Sequence, residues 1–386
     1  MTTTDGRGAA PLAECVAASR LLGGDPYLVL HGGGNSSVKD GGTIHVKASG
    51  HDMATIGPDG FAPLDRAALD ALVVRDGLSD TEMVAGLRAA LLDPASATPS
   101  IETLLHHLLP AAAVLHTHAD AVVTLTNSRD GAALLADALG PDVPVLPYCK
   151  PGFDLAQLVR REWPGIAAGE VPAFVLAHHG LFTVADRATE AASRHRALVD
   201  AAADAVREAT GVVLADEPGE VRVGEDDDPA LRAFGEHVRA VTGSPVSLHA
   251  LRSPGVAAFL GRDDLAEVTQ RGPSTLEHVI RTHRTPLVGR DVEGYVAAYT
   301  AYVDRNRHRA GGPVTLLDPT PRVVLDPGLG LVTVARTPAQ ARVAEDIYRH
   351  TMRIITAAEA LGGYRTITEG QAFDIEYWEL EQAKLR

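Results

Sequence analysis

The run AVLHTH, residues 113–118, ends in two histidines one residue apart. Side chains alternate along a strand, so Ala113, Leu115 and Thr117 face one side while Val114, His116 and His118 face the other. Two neutral imidazoles on one face can reach a single cation at about 2 Å from each nitrogen, which makes half of a zinc site. The same pair also reads as two incidental histidines at a strand end. Glu102 lies fourteen residues before His116. A carboxylate beside a divalent metal is a standard proton carrier; in the first turn of a helix it is equally favoured by the helix dipole alone. Farther on, His178 and His179 precede Gly180. In extended chain they point to opposite sides, so only one of them can join His116 and His118.

The element that must present Glu102 is a helix. Ser100 is a plausible N-cap, Ile101, Leu104, Leu105 and Leu108 recur with helical spacing, and Pro110 stops the run. Upstream, YLVLHGGGNSSVKDGGTIHVKASG, residues 27–50, predicts two apolar alternating runs around a glycine-rich turn and a hairpin turn at Asp40-Gly41-Gly42. Asn35, Ser36, Lys47, Ser49 and Gly50 in or beside these turns offer the donors of a phosphate nest. A plain glycine-rich hairpin accounts for the same residues. Neither dinucleotide-binding nor P-loop spacing is met.

Around these lie a helix over 11–22, helical sequence with acidic interruptions over 65–92, an edge strand in VPVLPYCKPG, a helix over 154–163, strands at 171–177 and 181–184, and a long helix over 188–209. The acidic stretch 215–229, with proline and glycine, reads as a linker between a domain over 11–214 and one over 230–386; residues 1–10 read as a disordered tail. An internal echo supports a degenerate repeat: GLFTVADRATEA from Gly180 aligns without gaps on GLVTVARTPAQA from Gly330. Leu329 stands where the first copy has His179, so the second half is expected to lack the metal chemistry.

The 386 residues are 45% apolar and carry a formal net charge of −15. That charge argues against a nucleic-acid partner. No apolar run is long enough to cross a membrane and no hydrophobic signal core is present, which predicts a cytoplasmic protein without a membrane partner. The two cysteines, Cys15 and Cys149, form no disulfide framework and no zinc-knuckle spacing. A metal site must therefore rest on histidines.

Taken together, GGGN, KASG, PSIE, HTH and HHG, in this order, resemble the class II aldolase/adducin family. The likeness is strongest to the aldolase portion of bifunctional rhamnulose-1-phosphate aldolase/alcohol dehydrogenases, and it extends to PRVVLDPGLGLVTVA and AFDIEYWELE near the C-terminus. The resemblance implies a three-layer α/β domain with a mainly antiparallel central sheet, then a smaller α/β domain, without the dehydrogenase part. It implies His116, His118 and His179 as ligands to zinc or another divalent metal and Glu102 as the catalytic acid/base. Asn35, Ser49, Gly50 and Ser100 match phosphate-holding positions, with Lys47 beside them, and His106 matches a supporting position.

Ile101 stands where the fuculose-phosphate enzymes have a serine, which implies a differently built phosphate grip. Glu rather than Asp at 102 favours aldolase over epimerase chemistry. The implied reaction is reversible cleavage of a ketose 1-phosphate to dihydroxyacetone phosphate and an aldehyde through a metal-stabilised enediolate, with a homotetramer in which Tyr148 is a candidate contribution to a neighbouring site. A decarboxylase would use the same histidines, and a non-catalytic interaction module is the remaining alternative.

Overall fold

A computed structural model describes residues 9–216 and 218–382. Most of the expected tail, residues 1–8, lies outside the described residues, and residues 9 and 10 begin the helix Ala9–Gly23. The described chain divides into two compact units, one of residues 9–126 and 130–209, the other of 127–129 and 210–382.

The first unit is built on seven strands: β1 Asn35–Asp40, β2 Thr43–Lys47, β3 Phe61–Asp65, β4 Ala113–Thr117, β5 Val145–Leu146, β6 Ala173–Leu176 and β7 Gly180–Ala185. Their order is β3-β2-β1-β4-β7-β6-β5. Every neighbouring pair is antiparallel except the parallel pair of β5 and β6, so the sheet is mixed but mainly antiparallel. Helix Ala9–Gly23 packs on β1, and Asp120–Thr126 packs on β7. β4 is central and buried along its whole length, which is why an apolar run can end in two histidines there. The prolines of the 144–151 stretch fit its position, since β5 is the edge strand.

Several local expectations shift. The run Tyr27–Leu30 is a turn, not a strand, and its carbonyls are used elsewhere: Leu28 O accepts from His118 N at 3.1 Å and Tyr27 O from Asp120 N at 2.9 Å. The hairpin turn at Asp40-Gly41-Gly42 is where it was expected and joins β1 to β2. The 65–92 stretch is two helices, Arg66–Val73 and Asp80–Ala89, each started by a side-chain cap from Asp65 and Ser79. β3, ahead of the first of them, was not anticipated.

Beneath β4 and β7 a buried polar group ties the sheet to the long helix Ala188–Thr210. His195 lies 2.7 Å from Thr117 Oγ1 through Nε2 and 3.0 Å from Thr183 Oγ1 through Nδ1. Because the Thr183 hydroxyl donates to Ala191 O at 3.2 Å, His195 Nδ1 must donate to Thr183 and Nε2 accept from Thr117. Burial holds this imidazole down to about 3, against an ordinary value of 6.5. The folded state thus refuses a proton that the unfolded chain takes up. Its contribution to stability is full above pH 6.5 and is lost as pH falls toward about 3. Urea unfolding between pH 7 and pH 5 should therefore show a slope that His195→Asn reduces by about one proton; an unchanged slope would contradict the assignment.

The second unit holds β8 Val221–Gly224, β9 Ser247–Arg252, β10 Leu287–Val288, β11 Val323–Asp326 and β12 Gly330–Ala335, in the order β10-β11-β12-β9-β8. Here too the single parallel pair involves the short edge strand, β10 with β11. The stretch read as a linker contains β8, and residue 229 opens the helix Pro229–Thr242. The sequence echo corresponds to the same local construction in both units. Leu176 pairs with Gly180 across the first hairpin and Asp326 with Gly330 across the second. A 23-residue helix follows each, Ala188–Thr210 and Pro338–Ala360. Leu329, at the place of His179, is fully buried.

Candidate active site

Three strands converge on one group of imidazoles. His116 and His118 come from the end of β4, and His179 from the tight turn between β6 and β7. Nε2 of His116 lies 3.0 Å from Nε2 of His118 and 3.3 Å from Nε2 of His179. All three side chains are buried. Among the described residues this is the one cluster of histidine, cysteine and carboxylate groups placed to hold a metal ion. His178 takes the other direction, with a left-handed backbone (φ 59°), and its amide donates to Thr126 Oγ1 at 3.3 Å.

The donor set fits a cation. His116 Nδ1 lies 3.0 Å from the Leu181 carbonyl, which can only accept, so Nδ1 carries the proton and Nε2 turns a lone pair toward the other two histidines. Burial, followed by the proximity of His118 and then of His179, holds the His116 imidazole well below its ordinary protonation range. Neutral lone pairs crowded this closely repel one another, and a bound divalent ion would turn that repulsion into coordination. The His116 ring is itself fixed by stacking on Phe182 at 3.9 Å, and Phe182 stacks in turn on Phe174 at 4.9 Å. Neither phenylalanine was singled out from the sequence.

Two glycines make the approach possible. A Cβ at Gly34 would come within 2.6 Å of His116 O, at a residue with φ +60°, and one at Gly180 would run into Thr117 O and lie 3.0 Å from His116 Cε1. The histidine of the second turn can enter the cluster only because a glycine follows it. We expect Gly180→Ala to cost about 3 kcal/mol, the upper end of ordinary overpacking, because the obstacle is backbone and cannot step aside. Thermal unfolding measures this, and a substitution within about 0.5 kcal/mol of the wild type would contradict the packing argument.

Glu102 stands beside the cluster, buried, with Oε2 3.8 Å from His116 Nε2 and Oε1 3.9 Å from His179 Nε2. It stands next to the three histidines, close enough to act on a molecule bound at them. The helix begins later than its sequence pattern suggests, at Thr103, so Glu102 precedes the first turn. The cause is local. Ala48 bridges Pro99, and Ser100 N donates to Lys47 O at 3.1 Å, which keeps 99 and 100 extended. Ser100 Oγ still caps the turn by accepting from Glu102 N at 3.3 Å.

Asn35 faces His116 across the β1–β4 ladder. Its Nδ2 donates to Glu102 Oε2 at 2.6 Å and to Ser100 Oγ at 3.3 Å. The contact with the carboxylate was not anticipated: it makes Asn35 a holder of Glu102 as well as a member of the glycine-rich region. Lys47 is buried and donates to Gly32 O at 3.2 Å. Ser49 and Gly50 follow in an exposed turn, with Gly50 at φ 84°. The pairing of Ala48 with Pro99 thus brings 47–50 and 100–102 together. His106 lies in the helix behind, its Nδ1 2.8 Å from Ser37 Oγ, and burial lowers it to about 3; it supports the sheet and is not in the cluster. Tyr148 is half-buried in the coil after β5.

The family described as "Class II Aldolase and Adducin N-terminal domain" matches residues 13–206, and "Aldolase class II, second domain" matches residues 225–385. A Bacillus subtilis (strain 168) protein named "Uncharacterized oxidoreductase YuxG" is 28% identical over 410 residues, covering 96% of this chain; the chain spans 58% of that relative's length. A solved N-terminal class II aldolase domain from Thermoplasma acidophilum is 36% identical, with a TM-score of 0.46, covering 54% of this chain and 97% of its own. L-fuculose-1-phosphate aldolase from Thermus thermophilus is 22% identical, with a TM-score of 0.34, covering 49% of this chain and 92% of its own.

Proposed function

Because the chain belongs to the class II aldolase and adducin family, we propose that it is a zinc-dependent, or otherwise divalent-metal-dependent, aldolase. It would reversibly cleave a rhamnulose- or fuculose-like ketose 1-phosphate to dihydroxyacetone phosphate and an aldehyde. The observation that supports this most is a buried carboxylate, Glu102, set 3.8 and 3.9 Å from two of three convergent imidazole nitrogens. That is the arrangement a proton transfer next to a held ketone needs.

A divalent cation held by His116, His118 and His179 would supply Lewis acidity toward the ketone and the hydroxyl next to it. The rest of the work falls to the chain. When the carbon–carbon bond breaks, its electron pair stays with the phosphate-bearing fragment, and the hydroxyl on the departing carbon gives its proton to Glu102 as it becomes the aldehyde carbonyl. Glu102 then delivers a proton to the carbon that kept the electron pair, and in the condensing direction removes it. Asn35 fixes the carboxylate that does so. Lys47, Ser49, Gly50, Ser100 and Asn35 would hold the phosphate, so that binding energy distant from the reacting carbons sets their orientation. The burial of Glu102 and the histidines keeps water from competing for the proton. A homo-oligomer, in the tetrameric form the family resemblance suggests, would complete the site at its borders.

The test is release of dihydroxyacetone phosphate from L-rhamnulose 1-phosphate and L-fuculose 1-phosphate by metal-replete protein. Release that chelation abolishes and added zinc restores is the expected result. A metal-loaded protein that cleaves neither ketose phosphate would refute the substrate class and turn the assignment to keto-acid decarboxylation, for which the same residues suffice.

A further inference from the structure

The second unit contains a cavity of about 320 Å³ whose mostly apolar wall carries a set of charged side chains. It is lined by His283, Asp318, Arg322, Arg336 and Glu376, with apolar surface from Val334 and its neighbours. Two guanidiniums share one counter-charge: Arg322 and Arg336 lie 3.5 and 3.3 Å from the same oxygen, Oδ2 of Asp318. The other oxygen of Asp318 is taken by Thr320, N at 3.0 Å and Oγ1 at 2.6 Å. Asp318 is the carboxylate the two guanidiniums share, and Glu376, on the same cavity, is a second carboxyl that Arg322 acts on.

Opposite in chemical character stand two acceptors. Glu376 is fully buried, receives the Tyr299 hydroxyl at 3.1 Å through Oε1, and has no hydrogen bond at Oε2. The Tyr302 hydroxyl lies near enough to favour its ionised form, while burial, the larger influence, raises it to about 7. His283 is held in a backbone conformation, φ 59° and ψ 174°, that glycine alone adopts readily. Its ring stacks on Tyr299 at 4.7 Å and its Nδ1 is 3.1 Å from the Tyr295 hydroxyl. That hydroxyl donates to Thr285 O at 3.1 Å, so His283 Nδ1 is the donor to it and Nε2 is left as an acceptor. A strained histidine, a buried carboxyl with one open oxygen and two guanidiniums sharing one carboxylate oxygen, around one cavity of ligand size, point to recognition more than to packing.

We propose that this cavity is a second small-molecule site, taking a hydroxylated organic anion whose phosphate or carboxylate lies between Arg322 and Arg336 and whose hydroxyls donate to His283 Nε2 and Glu376. The site is independent of the histidine cluster, and its test leaves the aldolase reading untouched. The chain has two tryptophans, Trp163 and Trp378, and Trp378 is two residues from Glu376. In full-length Trp163→Phe protein, the fluorescence of Trp378 is titrated with glycerol 3-phosphate and, separately, with glycerate, which distinguishes phosphate from carboxylate. The same titrations are repeated by calorimetry.

A saturable change with either probe is expected, at least tenfold weaker in both Arg322→Gln and Arg336→Gln. Arg336 is largely exposed, at 56% of its side chain, so its variant should fold even if Arg322→Gln does not. No saturable fluorescence change, together with heats that the foldable arginine variants leave unaltered, overturns the proposal.

Discussion

His116→Ala protein should bind a divalent ion more than about 100-fold more weakly than wild type and lose about 10³-fold or more of its ketose-phosphate cleavage. His116 is firmly fixed. It lies on the central strand, stacks on Phe182 at 3.9 Å, and has its proton assigned by the Leu181 carbonyl. Removing the ring deletes one of three donors and leaves His118 and His179 without the neighbour toward which their Nε2 atoms converge. The fold should survive, because β4 keeps its ladders to β1 and β7 and alanine is compatible with a buried strand position. Metal content after dialysis, read beside circular dichroism, checks this. A folded variant that retains stoichiometric metal would remove His116 from the ligand set.

Glu102→Gln should have the opposite signature. Metal content stays near wild type, because three imidazoles already make up the group placed to hold the ion. Turnover falls by about 10² to 10⁴-fold, the usual cost of losing a positioned acid/base. Glutamine can still accept the Asn35 amide at its carbonyl oxygen, so the hydrogen bond now at 2.6 Å has a substitute and the loss is confined to the proton. The decrease should appear in kcat with little change in KM. A variant that loses metal and turnover together would instead make Glu102 a ligand.

The histidines were legible in the sequence for physical reasons that the fold bears out locally. Period-two alternation is a property of any strand, so His116 and His118 had to share a side once 113–117 was read as one. The reading that only one of His178 and His179 can join them holds for a different reason than alternation in extended chain: the two lie in a turn, with His178 at φ 59°, and His179 enters the group. The edge position of the proline-bearing strand and the two long helices after the echoed hairpins were visible for similar reasons.

What was not legible depends on contacts between distant segments. The start of the helix after Glu102 is set by a bridge from Pro99 to Ala48, which no local pattern announces. Tyr27–Leu30 has the alternation of a strand, yet its carbonyls are committed to His118 and Asp120. Asn35 looks like any polar residue after three glycines until β1 is laid beside β4 and the amide meets Glu102. The partnership of His195 with Thr117 and Thr183 likewise appears only when helix and sheet are packed.

The most direct measurement follows dihydroxyacetone phosphate alone, in deuterium oxide, by proton nuclear magnetic resonance, with no aldehyde present. The account predicts that metal-replete wild-type protein exchanges one of the two hydrogens on the hydroxymethyl carbon, that chelation stops the exchange, and that Glu102→Gln slows it by about 10² to 10⁴-fold. This reports the proton transfer at the reacting carbon, whichever aldehyde is the natural acceptor. Metal-replete protein that leaves both hydrogens in place, at concentrations where dihydroxyacetone phosphate demonstrably binds, would contradict the claim that His116, His118, His179 and Glu102 form the catalytic centre of an aldolase.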